Sequence, residues 1–217
     1  MKLELQKQTV NETLWNCLET IMSLRSFDNF RLVGGTSLSL VLGHRKSIDI
    51  DLFSDSNYGS IDFIKLLSIL KSEFKYVDHF EWSNQTPGNS CFVGNNENEC
   101  VKLDLYYTDT FVYPIQLIDQ IRLSSLEEIV AMNVDVIGRG GRKKDFWDIH
   151  ELFDHFDLES MLTIYTKRYQ YNFSKQELLN SLVNFEYAEH DPEPICLKGK
   201  YWELIKLDFE ERIEDFL

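Results

Sequence analysis

Two aspartates, Asp49 and Asp51, stand one residue apart in SIDIDLF, and a third, Asp104, has the same apolar-Asp-apolar setting in VKLDLYY. Side chains at i and i+2 of a strand point the same way, with Cβ atoms roughly 6–7 Å apart. Burying such carboxylates without a partner costs about several kcal/mol each, so a positive group is expected between them. Mg²⁺ suits the set best, because it takes carboxylates, waters and phosphate oxygens together. Asp104, from a neighbouring strand, would complete a two-metal site. On spacing alone a second reading stays open. Asp49 and Asp51 could line a solvent-facing strand above inward Ile50 and Leu52, and Asp104 could sit on an exposed face paired to Lys102.

Upstream, FRLV runs into Gly34-Gly35, followed by Thr36 and Ser37. A double glycine after a strand lets a phosphate approach the backbone closely. Thr36 is a good N-cap, and the helix it would start offers free N–H groups and the positive end of its dipole. The hydroxyls of Thr36 and Ser37 add donors. A phosphate clamp followed by paired carboxylates makes a site for a nucleoside triphosphate with Mg²⁺. The reaction it suits is in-line displacement at phosphorus.

The elements that must position these residues are legible from periodicity. Apolar residues at helical spacing predict an amphipathic helix over residues ~9–26, from Leu14 through Leu24. FRLV reads as a short strand, and SIDIDLF as a strand with Asp49, Asp51 and Phe53 on one face. Residues 62–70 read as the next helix, and YVDHFEW, SCFVGN and CVKLDLYY as an antiparallel set split by polar turns. From Ser124 the pattern turns helical. Ser125-x-x-Glu128 is a capping box, GRGGR breaks the helix, and KKDFWDIHELFDHF resumes it. The expected fold class is α+β: a mixed α/β lobe over residues 1–123 and a helical lobe over 124–217.

Lys and Arg total 22 against 36 Asp and Glu, a net charge of −14 over 217 residues. That balance argues against an extended basic nucleic-acid surface but leaves room for a local basic pocket. The one cation cluster is Arg139, Arg142, Lys143 and Lys144. No apolar stretch is long enough to span a bilayer, and the N-terminal residues lack a secretory apolar core. Cys17, Cys91, Cys100 and Cys196 are scattered without ligand spacing, so reduced thiols and a cytoplasmic location are expected.

GG[ST], a helix and then DxD form the signature of the polymerase-β-like nucleotidyltransferase superfamily, and GGTSLSLVLGHRKSIDIDLF resembles the AbiEii/AbiGii-type nucleotidyltransferase toxins of bacteria. LEEIVAMNVDVIGRGGRKKDFWDIHELF is similar to that family's third motif, and EYAEHDPEPICLKGKYWELIK to its C-terminal segment. The resemblance implies a nucleotidyltransferase lobe followed by a helical one. Gly34, Gly35, Thr36 and Ser37 match the phosphate-clamping turn, Asp49 and Asp51 the metal ligands, and Arg45 and Ser47 the basic residue and hydroxyl before them. Asp104 is the candidate base and shared metal ligand. Lys144, Asp145 and Asp148 match the third motif, where a basic residue and an aspartate lie near the nucleotide. One position departs from the pattern. Members carry Lys after Ala-Met in the third-motif helix; here it is Asn133, which can donate a hydrogen bond but supplies no charge. Arg139, Arg142 and Lys143 are the cations that could substitute.

The function so implied is Mg²⁺-dependent transfer of a nucleoside monophosphate from an NTP to an acceptor hydroxyl, RNA such as tRNA among the acceptors. The protein would be the toxin of a toxin–antitoxin or phage-defence pair, with an antitoxin partner. The alternatives are a degenerate member that binds nucleotide or a partner without catalysis, and a transferase acting on a small molecule or protein.

Overall fold

The computed structural model describes residues 4–217. By its contacts the chain forms two compact units: residues up to Val41 together with Ser47–Ser124, and Leu42–Lys46 together with Ser125–Leu217. The fold is α+β, as the patterning predicts.

The first unit is built on one seven-stranded sheet. Its strands are β1 (Arg31–Leu32), β2 (Asp49–Ser54), β3 (Tyr76–His79), β4 (Gly88–Asn96), β5 (Glu99–Tyr107), β6 (Ile115–Ile118) and β7 (Ile121–Ser124). They lie in the order β3-β4-β5-β2-β1-β7-β6. The sheet is mixed: β2 runs parallel to β5 and β1 to β7, and the remaining neighbours are antiparallel.

Strand alternation sorts this sheet into two chemically different faces. Along β2, Ile50, Leu52 and Ser54 are buried while Asp49, Asp51 and Phe53 are half-buried; Leu103 and Leu105 follow the same rule on β5. The apolar side joins one hydrophobic cluster with α1 (Glu12–Ser23) and α3 (Phe63–Glu73), through Leu14, Leu18, Ile21, Phe63, Leu66 and Leu70. Both helices are capped by an Asx side chain. Asn11 accepts from the Leu14 N–H at 2.7 Å and Asp62 from the Lys65 N–H at 3.0 Å. The Asn11 cap also shortens the helix expected over ~9–26, leaving 3-10 turns at Lys7–Thr9 and Arg25–Phe27 on either side of it.

The β6–β7 hairpin has no counterpart in the sequence reading. Its turn residues Asp119 and Gln120 have φ of 48° and 67°. Two successive positive φ angles belong to a type I′ turn, whose usual sequence mark is a glycine after Asn or Asp. Asp-Gln hides it. The hairpin carries Arg122, whose guanidinium donates to the carbonyls of Met22 (2.9 Å), Phe27 (3.0 Å) and Phe30 (3.0 Å).

The second unit contains α4 (Leu126–Gly138), α5 (Lys143–Leu152), α6 (Leu158–Arg168), α7 (Lys175–Leu182) and α8 (Trp202–Phe216). Phe146, Phe185, Trp202 and Phe209 meet edge-on, with Phe146 5.1 Å from Phe185 and 5.5 Å from Phe209 between ring centres. The capping box expected at α4 is half formed. Ser125 accepts from the Glu128 N–H at 3.3 Å, but the Glu128 carboxylate pairs with Arg168, and both side chains are fully buried. A long-range ion pair has taken the group that local sequence assigned to the cap. Residues 42–46 lie along residues 195–197: Lys46 N–H donates to the Ile195 carbonyl at 2.9 Å, and Leu197 N–H to the His44 carbonyl at 2.8 Å. Among the described residues no helix is long and apolar enough to cross a membrane.

Because Arg122 satisfies three carbonyls at once, Arg122→Met is expected to lower the unfolding free energy by about 3 kcal/mol, the scale of losing charge-assisted hydrogen bonds. A urea melt reads this; an unchanged midpoint would show that those carbonyls find other partners.

Candidate active site

The β2–β5 register opposes Asp49 to Lys102, Asp51 to Asp104 and Phe53 to Tyr106, while β4 opposes Ser90 to Asp104. Opposed residues of paired strands share a face, so the three aspartates, Lys102, Ser90 and Tyr106 lie on the side of the sheet away from the apolar cluster. Asp104 is fully engaged there. One oxygen accepts from Ser90 Oγ at 2.5 Å and the other from Lys102 Nζ at 2.6 Å. The hydrogen bond to Asp104 pushes the Lys102 pKa up against the opposing pull of burial, and the charges of Asp104, Asp49 and Asp51 add to the rise. The ammonium therefore stands in the field of all three carboxylates. Toward the C-terminal end of the strands Phe53 and Tyr106 pack at 6.0 Å with planes tilted by 53°.

The glycine pair sits against this face. Helix α2 (Gly34–Leu42) begins at Gly34, so Thr36 lies inside its first turn and is no N-cap. Gly34 has φ +63°, and a Cβ there would meet Asp51 Oδ2 at 3.2 Å. Both facts demand glycine: the left-handed backbone is costly for other residues, and the carboxylate occupies the space a side chain would take. Thr36 Oγ1 turns to the Asp49 carbonyl (2.5 Å) and to Ser47 Oγ (2.6 Å), which ties the helix start to the strand that carries the aspartates. Ser37 is buried, with its hydroxyl unpartnered. Gly34 and Gly35 remain half-buried, at a helix start whose first N–H groups have no intrahelical acceptor.

The second unit holds the other sequence-predicted residues. Asp148 is buried and takes a bidentate contact from Arg45, Nε to Oδ1 at 2.6 Å and Nη2 to Oδ2 at 2.7 Å, together with His44 Nε2 at 2.7 Å. Burial alone would push the Asp148 carboxyl up; the Arg45 charge and the hydrogen bonds from His44 and Arg45 outweigh it and hold the group well below the usual carboxylate range. Asp145 caps α5 by accepting from the Arg142 N–H at 2.9 Å. The cations considered as substitutes at the Asn133 position are already occupied. Arg139 pairs with Asp135 at 2.8 Å, Arg142 with Asp145 at 3.6 Å, and buried Lys143 lies over the Trp202 ring with Nζ directed at the Glu189 carbonyl. Lys144 is half-buried and makes neither hydrogen bond nor ion pair among the described residues. Asn133 is buried and its Nδ2 has no partner.

Asp49, Asp51 and Asp104 are the groups that could hold a divalent cation. Their chemistry fits one, being all-oxygen, acidic and concentrated on one face, with an ammonium already standing among them. As they stand, no three acidic, histidine or cysteine side chains among the described residues form a metal-holding group, and both Asp104 oxygens are turned to Lys102 and Ser90. Sequence reasoning saw Lys102 only as a bland partner of Asp104 and missed Ser90 and the His44–Asp148 contact. The i, i+2 spacing of Lys102 and Asp104 was the available signal; Ser90 and His44 depend on strand pairing and long-range contact.

Comparison with known proteins gives a consistent set of likenesses. The family model described as nucleotidyl transferase AbiEii toxin, type IV TA system, matches residues 17–216. An uncharacterized protein of Aquifex aeolicus is 26% identical over 214 residues, spanning 92% of this chain and 94% of that protein. Among solved structures, the nucleotidyltransferase toxin MenT4 of Mycobacterium tuberculosis superposes with a TM-score of 0.59 at 13% identity, over 93% of this chain and 83% of its own. JHP933 of Helicobacter pylori gives a TM-score of 0.53 at 17% identity, over 94% and 92%. At these identities the structures speak for the fold.

Two substitutions probe the geometry. Gly34→Ala is expected to destabilise the protein by about 1–2 kcal/mol, the cost of a left-handed alanine, and to lower activity by displacing Asp51; a variant as stable and active as wild type would show that the close approach is not needed. Asp148→Asn is expected to cost about 3–5 kcal/mol at pH 7 by leaving Arg45 buried without its anion. Because the folded-state pKa lies below the unfolded one, this stabilisation is complete above the unfolded pKa and is lost as pH falls through the folded value. The gap between wild type and Asp148→Asn should therefore narrow in urea melts below about pH 4; a gap independent of pH would contradict it.

Proposed function

The chain belongs to the AbiEii family of nucleotidyl transferase toxins, and on that premise we propose that it moves a nucleoside monophosphate from an NTP to an acceptor hydroxyl at the carboxylate face of its first unit. The observation that carries this reading is the placement of Asp51 beside Asp104 on one sheet face, with Gly34 against Asp51. The acceptor oxygen attacks the α-phosphorus, the bond to the pyrophosphate oxygen breaks, and the hydroxyl proton passes to a base.

Asp49, Asp51 and Asp104 are the residues that would hold Mg²⁺ in the proposed two-metal reading. A bound divalent ion would supply Lewis-acid activation of the attacking oxygen and charge neutralisation on the leaving group. Asp104 is the proposed base, oriented through its second oxygen by Ser90. The N–H groups at Gly34 and Gly35 receive the triphosphate, and the Thr36–Ser47 hydroxyl bridge holds that turn against β2. Lys144 is the proposed cation for charge on the leaving pyrophosphate; among the described residues it makes neither hydrogen bond nor ion pair, whereas Arg139 and Arg142 are ion-paired and Lys143 is bound to the Glu189 carbonyl. Arg45 and Asp148 form a buried pair, so Asp148, matched to the third motif, is proposed in a positioning role rather than in proton transfer.

RNA, including tRNA, is the proposed acceptor, an antitoxin the proposed partner, and the bacterial cytoplasm the proposed location, with a phage-defence role in view. The net charge of −14 favours a second reading in which the acceptor is a small molecule or a protein side chain, since RNA affinity rests on cations.

Incubation with each α-labelled NTP and total bacterial RNA separates these. Label is expected in RNA with release of pyrophosphate, and Asp49→Ala and Asp51→Ala are expected to reduce transfer on the order of a thousand-fold while keeping the fold. Near-normal transfer by both variants would remove the carboxylate face from the chemistry, and label in protein or small molecules would select the second acceptor class.

A further inference from the structure

An ammonium group within a cluster of three carboxylates bears directly on how that cluster takes up a metal. Lys102 lies on β5 directly opposite Asp49, with Nζ 2.6 Å from Asp104 Oδ2. Its side chain is 43% exposed and that of Asp104 only 14%. The ammonium is thus a mobile charge on a flexible four-carbon stem, and the carboxylate is a fixed one. Ser90 holds the second Asp104 oxygen independently at 2.5 Å, so the carboxylate keeps its orientation when Lys102 departs.

We propose that Lys102 is the resting counter-cation of the carboxylate face, and that a divalent ion can bind there only by displacing it. This rests on the metal reading given above. The reasoning is electrostatic. Without a metal, Asp49, Asp51 and Asp104 repel one another, and a single positive charge among them relieves that repulsion. With a metal, the same ammonium is a like charge next to a divalent ion and occupies an oxygen the ion needs. Lys102 therefore stabilises the empty site and weakens metal binding. Metal uptake then becomes easiest when other anions, such as the phosphates of a bound triphosphate, are present to receive the ammonium or to bring the ion in.

The test is Mn²⁺ binding, followed by electron paramagnetic resonance of the free ion, for wild type, Lys102→Met, Lys102→Gln and Asp49→Asn, with folding checked by circular dichroism. Removing the like charge is expected to tighten Mn²⁺ binding on the order of ten-fold, the factor that one unit of electrostatic perturbation represents. Lys102→Met should also melt below wild type in chelator and gain more than wild type from added Mn²⁺. The glutamine variant repeats the measurement with a polar side chain, should the methionine variant fold poorly. Equal Mn²⁺ affinity in wild type and both Lys102 variants, with Asp49→Asn weakened, would overturn the role of Lys102 and leave the metal site standing. Absence of Mn²⁺ binding from wild type and the Lys102 variants alike would overturn both.

Discussion

Asp51 and Asp104 are neighbours because β2 and β5 run parallel with these two residues opposed. Strands in a sheet lie roughly 4.8 Å apart, so two carboxylates share one patch, with Asp49 two residues along. That repulsion has to be met, and the surrounding residues answer it. Lys102 supplies a positive charge and Ser90 a hydroxyl donor. Gly34 supplies the absence of a side chain, which lets the backbone at the start of α2 come within reach of Asp51. The other side of the same strands is largely apolar, through Ile50, Leu52, Leu103 and Leu105, and fused to α1 and α3. A sheet with one face committed to the core can therefore carry three acids on the other without losing its footing.

Charge in the second unit is managed differently. Asp148 is closed off by Arg45 and His44, and Glu128 by Arg168, each pair with almost no exposed surface. Removing one partner from such a pair strands the other in a medium that cannot solvate it. The carboxylate face of the first unit is only half-buried, so its counter-charge can be exchanged. The locked pairs suit positioning, and the exchangeable one suits binding of an ion and its phosphates.

Much of this could be read from residue order. Period-two alternation placed Asp49, Asp51 and Phe53 on one face, and the glycine pair marked a close backbone approach. Elsewhere local rules were overridden by distant partners. Thr36 looks like a cap, but the positive φ of Gly34 lets the helix start earlier, and the threonine hydroxyl goes to Ser47 and the Asp49 carbonyl. Glu128 looks like the second half of a capping box, but Arg168 from α6 claims it. Lys143 reads as a cation able to stand in at the Asn133 position, yet Trp202 and the Glu189 carbonyl bury it. The β6–β7 hairpin escaped because Asp119-Gln120 adopts a geometry that sequence rules assign to glycine. In each case the deciding contact is remote in sequence or the backbone conformation is unusual for its residue.

The proposed metal site is tested most directly by a crystal structure of the protein grown with Mn²⁺ and a non-hydrolysable nucleoside triphosphate, with the manganese located by anomalous scattering. The account predicts a manganese peak bounded by Asp49 and Asp51, phosphate oxygens at Gly34 and Gly35, and Lys102 Nζ withdrawn from Asp104. Nucleotide bound with the Lys102–Asp104 contact intact and no manganese at the carboxylate face would contradict it.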